Sequence, residues 1–182
     1  NKIDWTRVHI FWGDERFVPF TDDKNNAKMS FETLLDHVPV QKENIHVMRT
    51  DLPASESAIL YDSILREYFP DANGPTFDLV LLGMGPDGHT LSLFPGYPII
   101  HEDEKWVDAF FLKEQDMFRI TLTRSVVNQA QSVYFMVAGA DKAEALQQVW
   151  SGNPNPDLYP SQVINPIHGE LIWFVDQKAA GQ

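Results

Sequence analysis

FDLVLLGMGPDGHTLSLFPG, residues 77–96, is the stretch from which the rest of the chain is read. Phe77, Leu79, Val80, Leu81 and Leu82 form a short apolar run interrupted only by Asp78. That length and composition predict a buried strand of a parallel sheet over Phe77 to Leu82. The run leads directly into Gly83-Met84-Gly85-Pro86-Asp87-Gly88-His89. Glycines at 83, 85 and 88 mark a backbone that turns tightly or lets another group approach closely. Loops at the carboxyl ends of parallel strands are where α/β proteins hold their ligands. Here the loop offers a carboxylate, Asp87, and an imidazole, His89, two residues apart and able to meet one small substrate. It is the candidate reaction centre.

Two plainer readings compete. Gly83 to Gly88 satisfies G-x-G-x-x-G, the dinucleotide fingerprint. That fingerprint needs a long helix starting in the loop, whereas Pro95-Gly96 stops the chain soon after Gly88. It also needs bare amides for a pyrophosphate where this chain has Asp87. Alternatively, Asp87 is a turn residue and His89 a helix cap. Strand, glycines, acid and base together favour chemistry.

The run GMGPDGHTLSLFP resembles the signature of the 6-phosphogluconolactonases, whose relatives include the glucosamine-6-phosphate deaminases. The family usually has a small residue where this chain has Leu91. A second stretch, Gly13-Asp14-Glu15-Arg16-Phe17-Val18-Pro19, follows a predicted strand over Val8 to Trp12. Taken alone it is a solvated turn with Arg16 paired to Glu15. GDERFVP resembles the family's second signature, which implies that Asp14 and Arg16 reach the substrate. The family's Asn some ten residues on matches Asn26, or its neighbour Asn25. The run FRITLT, from Phe118, resembles a family strand whose arginine meets the ligand, which implies that role for Arg119.

Gly139-Ala140-Asp141-Lys142-Ala143 follows another predicted strand, Ser132 to Ala138. Asp141 as N-cap with Glu144 three residues on predicts a helix running to Trp150. Lys142 then sits in the first turn, where the helix dipole disfavours a cation. An anion held between helix amides and Lys142 would remove that conflict; a freely solvated lysine is the alternative. The stretch resembles the family's G-x-x-K-A, which implies that Lys142 contacts substrate.

Elsewhere the patterning predicts helices over Asn25 to His37 (Met29, Leu34 and Leu35 inward), Ala54 to Phe69, and Arg124 to Gln131. Pro70 and Asn73-Gly74-Pro75 are expected to close the second of these. Strands are predicted at Ile45 to Met48 and Leu171 to Val175, and a hairpin at Val107 to Leu112 with Met117 to Leu122. Asp176 reads as a helix cap, and the stretch from Ser151 to Pro166 as a surface loop. His101-Glu102-Asp103-Glu104 lacks metal-ligand spacing and reads as a solvated loop. The fold expected is α/β: one domain over residues 1–182, with a mostly parallel Rossmann-like sheet and helices on both faces. The resemblance narrows this to the glucosamine-6-phosphate isomerase/6-phosphogluconolactonase type.

Composition bounds the function. At 182 residues, 43% of them apolar, the chain can bury a core of ordinary size. Its net charge of −12 repels nucleic acid and anionic membranes, so neither is expected as a partner. There is no cysteine, which excludes disulfides and thiolate metal sites and makes a cytoplasmic address the expectation. A monomer is expected. The chain opens at Asn1 rather than Met and enters a strand within a few residues, which reads as a fragment or processed form. The resemblance implies a missing opening segment with a Gly-rich phosphate loop.

The resemblance also implies the reaction: hydrolysis of 6-phospho-D-glucono-1,5-lactone to 6-phosphogluconate in the oxidative pentose phosphate pathway. A lactone is an activated ester, so a base, a water and an oxyanion partner suffice, with no metal or organic cofactor. His89 fits the base, and Asp87 or Asp14 its orienting carboxylate. Amides of the glycine loop, at Gly85 and Gly88, fit the oxyanion partner. Arg16, Arg119 and Lys142 fit the phosphate and sugar contacts. Deaminases of this superfamily have a glutamate five residues after the loop histidine; here that position is Phe94. A sugar-phosphate-binding protein without turnover is the third reading.

Overall fold

Glycine- and proline-rich punctuation keeps the strands of this chain short, and the computed structural model shows eight among the residues it describes, 3–70 and 76–182. The predicted helix stop at Asn73-Gly74-Pro75 lies outside the described residues. The chain packs into two units. One comprises Asn1–Ile64 and Val107–Thr121, the other Leu65–Trp106 and Leu122–Gln182.

In the first unit, β1 (Ile10–Phe11) and β3 (Ile45–His46) pair in parallel. β2 (Asp14–Arg16) belongs to a different sheet, of order β2-β6-β5, with β5 at Val107–Leu112 and β6 at Met117–Leu122. β2 runs antiparallel to β6, setting Asp14 opposite Thr121 and Arg16 opposite Arg119. Residues 14–16, read from sequence as a turn, are therefore a strand. The missed signal is Glu15, which is fully buried while its neighbours face the other way. α1 (Asn26–Thr33) is shorter than expected, and the chain continues into a 3-10 turn at Leu35–His37. Of its predicted inward residues only Leu35 is buried; Met29 and Leu34 are exposed, and Ala27 takes the inward place instead.

α2 (Ala54–Tyr68) contributes Tyr61 to the first unit. Its buried hydroxyl accepts the Trp12 N–H at 2.7 Å and lies 3.0 Å from the His46 carbonyl and 3.2 Å from that of Trp12. One side chain thus ties the ends of β1 and β3 together. Burial pushes its ionisation far upward, so it stays a neutral donor.

The second unit holds a parallel sheet of order β4-β7-β8: β4 at Val80–Leu82, β7 at Ser132–Val137 and β8 at Glu170–Val175. Leu82, Phe135 and Trp173 stand in register across it, and the Phe135 and Trp173 rings stack at 3.9 Å. Trp150, from α4 (Ala143–Ser151), packs edge-on against Trp173 and covers that face. The other face exposes Leu79, Leu81, Met136 and Phe174. The predicted strand at Phe77 to Leu82 is thus shorter, and buried on one face rather than both. Nor is there one mostly parallel sheet, because the antiparallel β2–β6 pairing gives a mixed architecture. The remaining helix of the unit, α3, is a single turn at Arg124–Val127.

Candidate active site

β4 ends at Leu82 and delivers the glycine loop. The loop closes on itself: Gly85 N–H donates to His89 O at 2.8 Å, and Gly88 N–H to Gly85 O at 3.0 Å. Both glycine amides are therefore taken up inside the loop, which corrects the expectation that Gly85 and Gly88 offer them to an oxyanion. What the glycines supply is room and conformation. A Cβ on Gly85 would lie 2.1 Å from His89 Nδ1 and 2.6 Å from Asp87 Oδ1, an impossible approach. Gly88 has φ +77°, the left-handed region that glycine adopts without penalty.

Pressed onto Gly85, Asp87 Oδ1 meets His89 Nδ1 at 2.5 Å. Burial pushes the Asp87 carboxyl up; the hydrogen bond and charge of His89, with backbone N–H groups, pull it down further, leaving it below the usual range. Phe94 is buried and stacks on the imidazole, ring centres 4.2 Å apart. An aromatic face, not a carboxylate, occupies the position that would distinguish a deaminase. Leu91 follows at φ +54°, an uncommon conformation for a branched side chain.

The stretch read as a surface loop from Ser151 to Pro166 holds this centre from behind. Ser161 is buried, and both its N–H and its hydroxyl donate to Gly88 O, at 2.9 and 2.8 Å. Tyr159 lies close against Gly88. Sequence reasoning missed both; the signal available was Pro160 opening a turn at Pro160–Val163.

Lys142 lies in the same unit, after β7, in a 3-10 turn at Ala140–Lys142 that leads into α4. Asp141 is not the helix cap that was expected. Its carboxylate pairs with Lys142 Nζ at 2.9 Å, which holds the Asp141 carboxyl below its ordinary range. Asp176 caps no helix either. It accepts from Gly139 N at 3.1 Å and Ala179 N at 2.8 Å, fixing the end of β7 against the end of β8.

In the first unit, Asp14, Arg16, Asn26 and Arg119 form one polar cluster. Arg119 is buried rather than solvated, its Nη2 on Asp14 Oδ2 at 2.7 Å and its Nη1 on Gln115 at 3.1 Å. Asn26 accepts from Arg16 Nη1 at 2.8 Å and donates to the Asp14 carbonyl at 3.0 Å. Asn25 points elsewhere, capping α1 through Lys28 N, so Asn26 is the asparagine of this cluster. Asp14 is thus engaged by Arg119 and Asn26, while Asp87 is the carboxylate on His89. No group of three or more histidine and carboxylate side chains able to hold a metal ion occurs among the described residues.

A family model described as glucosamine-6-phosphate isomerases/6-phosphogluconolactonase matches residues 1–173. The chain is similar to 6-phosphogluconolactonases of Synechocystis sp. and Nostoc sp.. Each is 39% identical, over 97% of this chain and 74% of the first relative, and over 100% of this chain and 75% of the second. Among solved structures it is similar to 6-phosphogluconolactonase from Thermotoga maritima. That match has TM-score 0.83 at 28% identity, over 96% of this chain and 75% of that one.

Proposed function

The chain belongs to the glucosamine-6-phosphate isomerase/6-phosphogluconolactonase family, and from that premise we propose that it hydrolyses 6-phospho-D-glucono-1,5-lactone to 6-phospho-D-gluconate, a step of the oxidative pentose phosphate pathway. The observation that supports this best is the Asp87–His89 pair on its glycine loop. A carboxylate on Nδ1 selects the tautomer with its proton there and leaves Nε2 as the basic nitrogen. His89 takes a proton from water as the water oxygen bonds to the lactone carbonyl carbon. When the tetrahedral intermediate collapses, the bond from that carbon to the ring oxygen breaks. The imidazolium returns its proton to the ring oxygen, giving the open-chain acid.

Arg16 and Lys142 are the proposed phosphate and sugar contacts, as charge-assisted donors to oxygen. Arg119 is assigned a nearer task, holding Asp14 by an ion pair. Phe94 supports lactonase over deaminase chemistry, since a phenyl ring cannot transfer the protons of ring opening. We take the working form to be a monomer acting in the cytoplasm, a reading supported by the mutual repulsion of copies carrying −12 each and by a cysteine-free sequence suited to a reducing compartment. The test is proton release from freshly prepared phosphogluconolactone, with ammonia release from glucosamine 6-phosphate run in parallel. Acceleration of the first and none of the second is expected. The reverse pattern overturns the assignment.

A further inference from the structure

Glu15 is the most deeply buried acid among the described residues and plays no part in the reaction as written. It lies on β2 between Asp14 and Arg16, pointing to the opposite face of the strand. Its Oε1 accepts the Arg16 N–H at 2.8 Å and the Asn26 N–H at 2.6 Å, and its Oε2 accepts the Ala27 N–H at 2.9 Å. The last two are the first free amides of α1, which already has a side-chain cap in Asn25. Asn25 takes only the Lys28 amide, so Glu15, brought from a separate strand, meets two further amides that the start of the helix leaves open. Burial disfavours a charge, so the group persists only because all three amides are aimed at it.

The three amides identify what the carboxylate is for. Arg16 and Asn26 are the two residues whose side chains join, Nη1 to Oδ1, and Glu15 holds the backbone of each. The Arg16 guanidinium is fixed further by the Lys24 carbonyl at 3.1 Å, in the turn before α1. We infer that Glu15 is the positioning residue of the substrate-contacting arginine: it locks the start of α1 to β2, so that Asn26 and Lys24 hold the Arg16 guanidinium in its working direction. The inference rests on the reading of Arg16 as a phosphate contact.

Glutamine at position 15 tests it, because a carboxamide has one acceptor oxygen and presents an N–H₂ where an amide must be received. Steady-state kinetics would be measured for wild type, Glu15→Gln, Arg16→Ala and the double variant, on phosphogluconolactone and on unphosphorylated gluconolactone. Arg16→Ala is expected to raise KM for the phosphorylated lactone about tenfold or more, the mark of lost binding rather than lost chemistry. Glu15→Gln should raise that KM about five- to tenfold with kcat little changed, and leave the unphosphorylated lactone alone. The double variant should match Arg16→Ala, since the two residues act as one unit. A purely structural glutamate would lower the rates on both lactones and add to the Arg16 effect, and that result overturns the inference. So does a normal KM in Glu15→Gln when Arg16→Ala raises it. If Arg16→Ala leaves KM unchanged, the reading of Arg16 falls and takes the inference with it. Should Glu15→Gln not fold, Glu15→Asp, with both acceptor oxygens withdrawn by a methylene, is read in its place on the same criteria.

Discussion

Gly85 shows how much one missing side chain can decide. The Asp87–His89 pair occupies the space of the Cβ that any other residue would bring, so the glycine cannot be replaced without separating acid from base. Gly85→Ala is expected to lower kcat by about 10²- to 10⁴-fold, the usual contribution of a positioned general base, with a much smaller change in KM. Stopped-flow proton release checks it. The same pair has a pH signature. The Asp87 carboxyl lies below its ordinary value of 3.8, so its contribution to stability is full above that value and is lost as pH falls through the depressed one. Denaturant midpoints of wild type and Asp87→Asn should therefore differ by a constant amount at neutral pH and converge only as the pH falls below 3.8 and through the depressed value. The loop, its acid and its base were legible because glycines and two titratable groups follow an apolar run. The stacking of Phe94 on His89 and the grip of Ser161 on Gly88 were not, because those contacts depend on side-chain direction and on distant chain.

Elements were legible where periodicity is strong, as in α2, and where apolar runs are bounded by turns, as in β5 and β6. β2 was hidden because three charged residues carry no strand pattern; the neighbouring Arg16 amide and the α1 amides, supplied eleven and twelve residues later, explain how Glu15 can be buried. α1 was misread on its apolar face because Met29, two residues from the buried Ala27, lies on the opposite side of the helix and Leu34 falls beyond its end. Tyr61 is the clearest test of element packing. Tyr61→Phe leaves a buried Trp12 N–H without its acceptor and should cost about 1–3 kcal/mol, measured by urea unfolding. At the start of α4, Lys142 pairs with Asp141, so two small effects oppose each other. Removing the cation relieves an unfavourable dipole contact of about 0.3–1 kcal/mol. It also loses an exposed ion pair, which contributes little in water. Lys142→Ala should therefore leave the melting temperature unchanged. Calorimetric titration should show phosphogluconate binding at least about tenfold weaker, the minimum for a lost hydrogen bond to a charged group, and gluconate binding unchanged.

For the molecule as a whole, composition and the order of motifs were enough for the α/β class and the family, since both are written locally. The division into two units was not, because each is drawn from two separate stretches of chain. Asp14 and Arg119, joined by an ion pair, stand 105 residues apart in sequence. That separation has a consequence in time. β2 has no partner strand until β6 exists, so the sheet holding Asp14 and Arg16 waits for a long loop to close, whereas β7 and β8 meet across a much shorter connection. During synthesis the three-stranded parallel sheet needs residues up to Val175, by which point the hairpin of β5 and β6 has long been made. The arginine cluster is thus expected to form late in refolding from denaturant, governed by loop closure rather than by local propensity. Catalytic competence should return with the slowest phase, behind the recovery of helix.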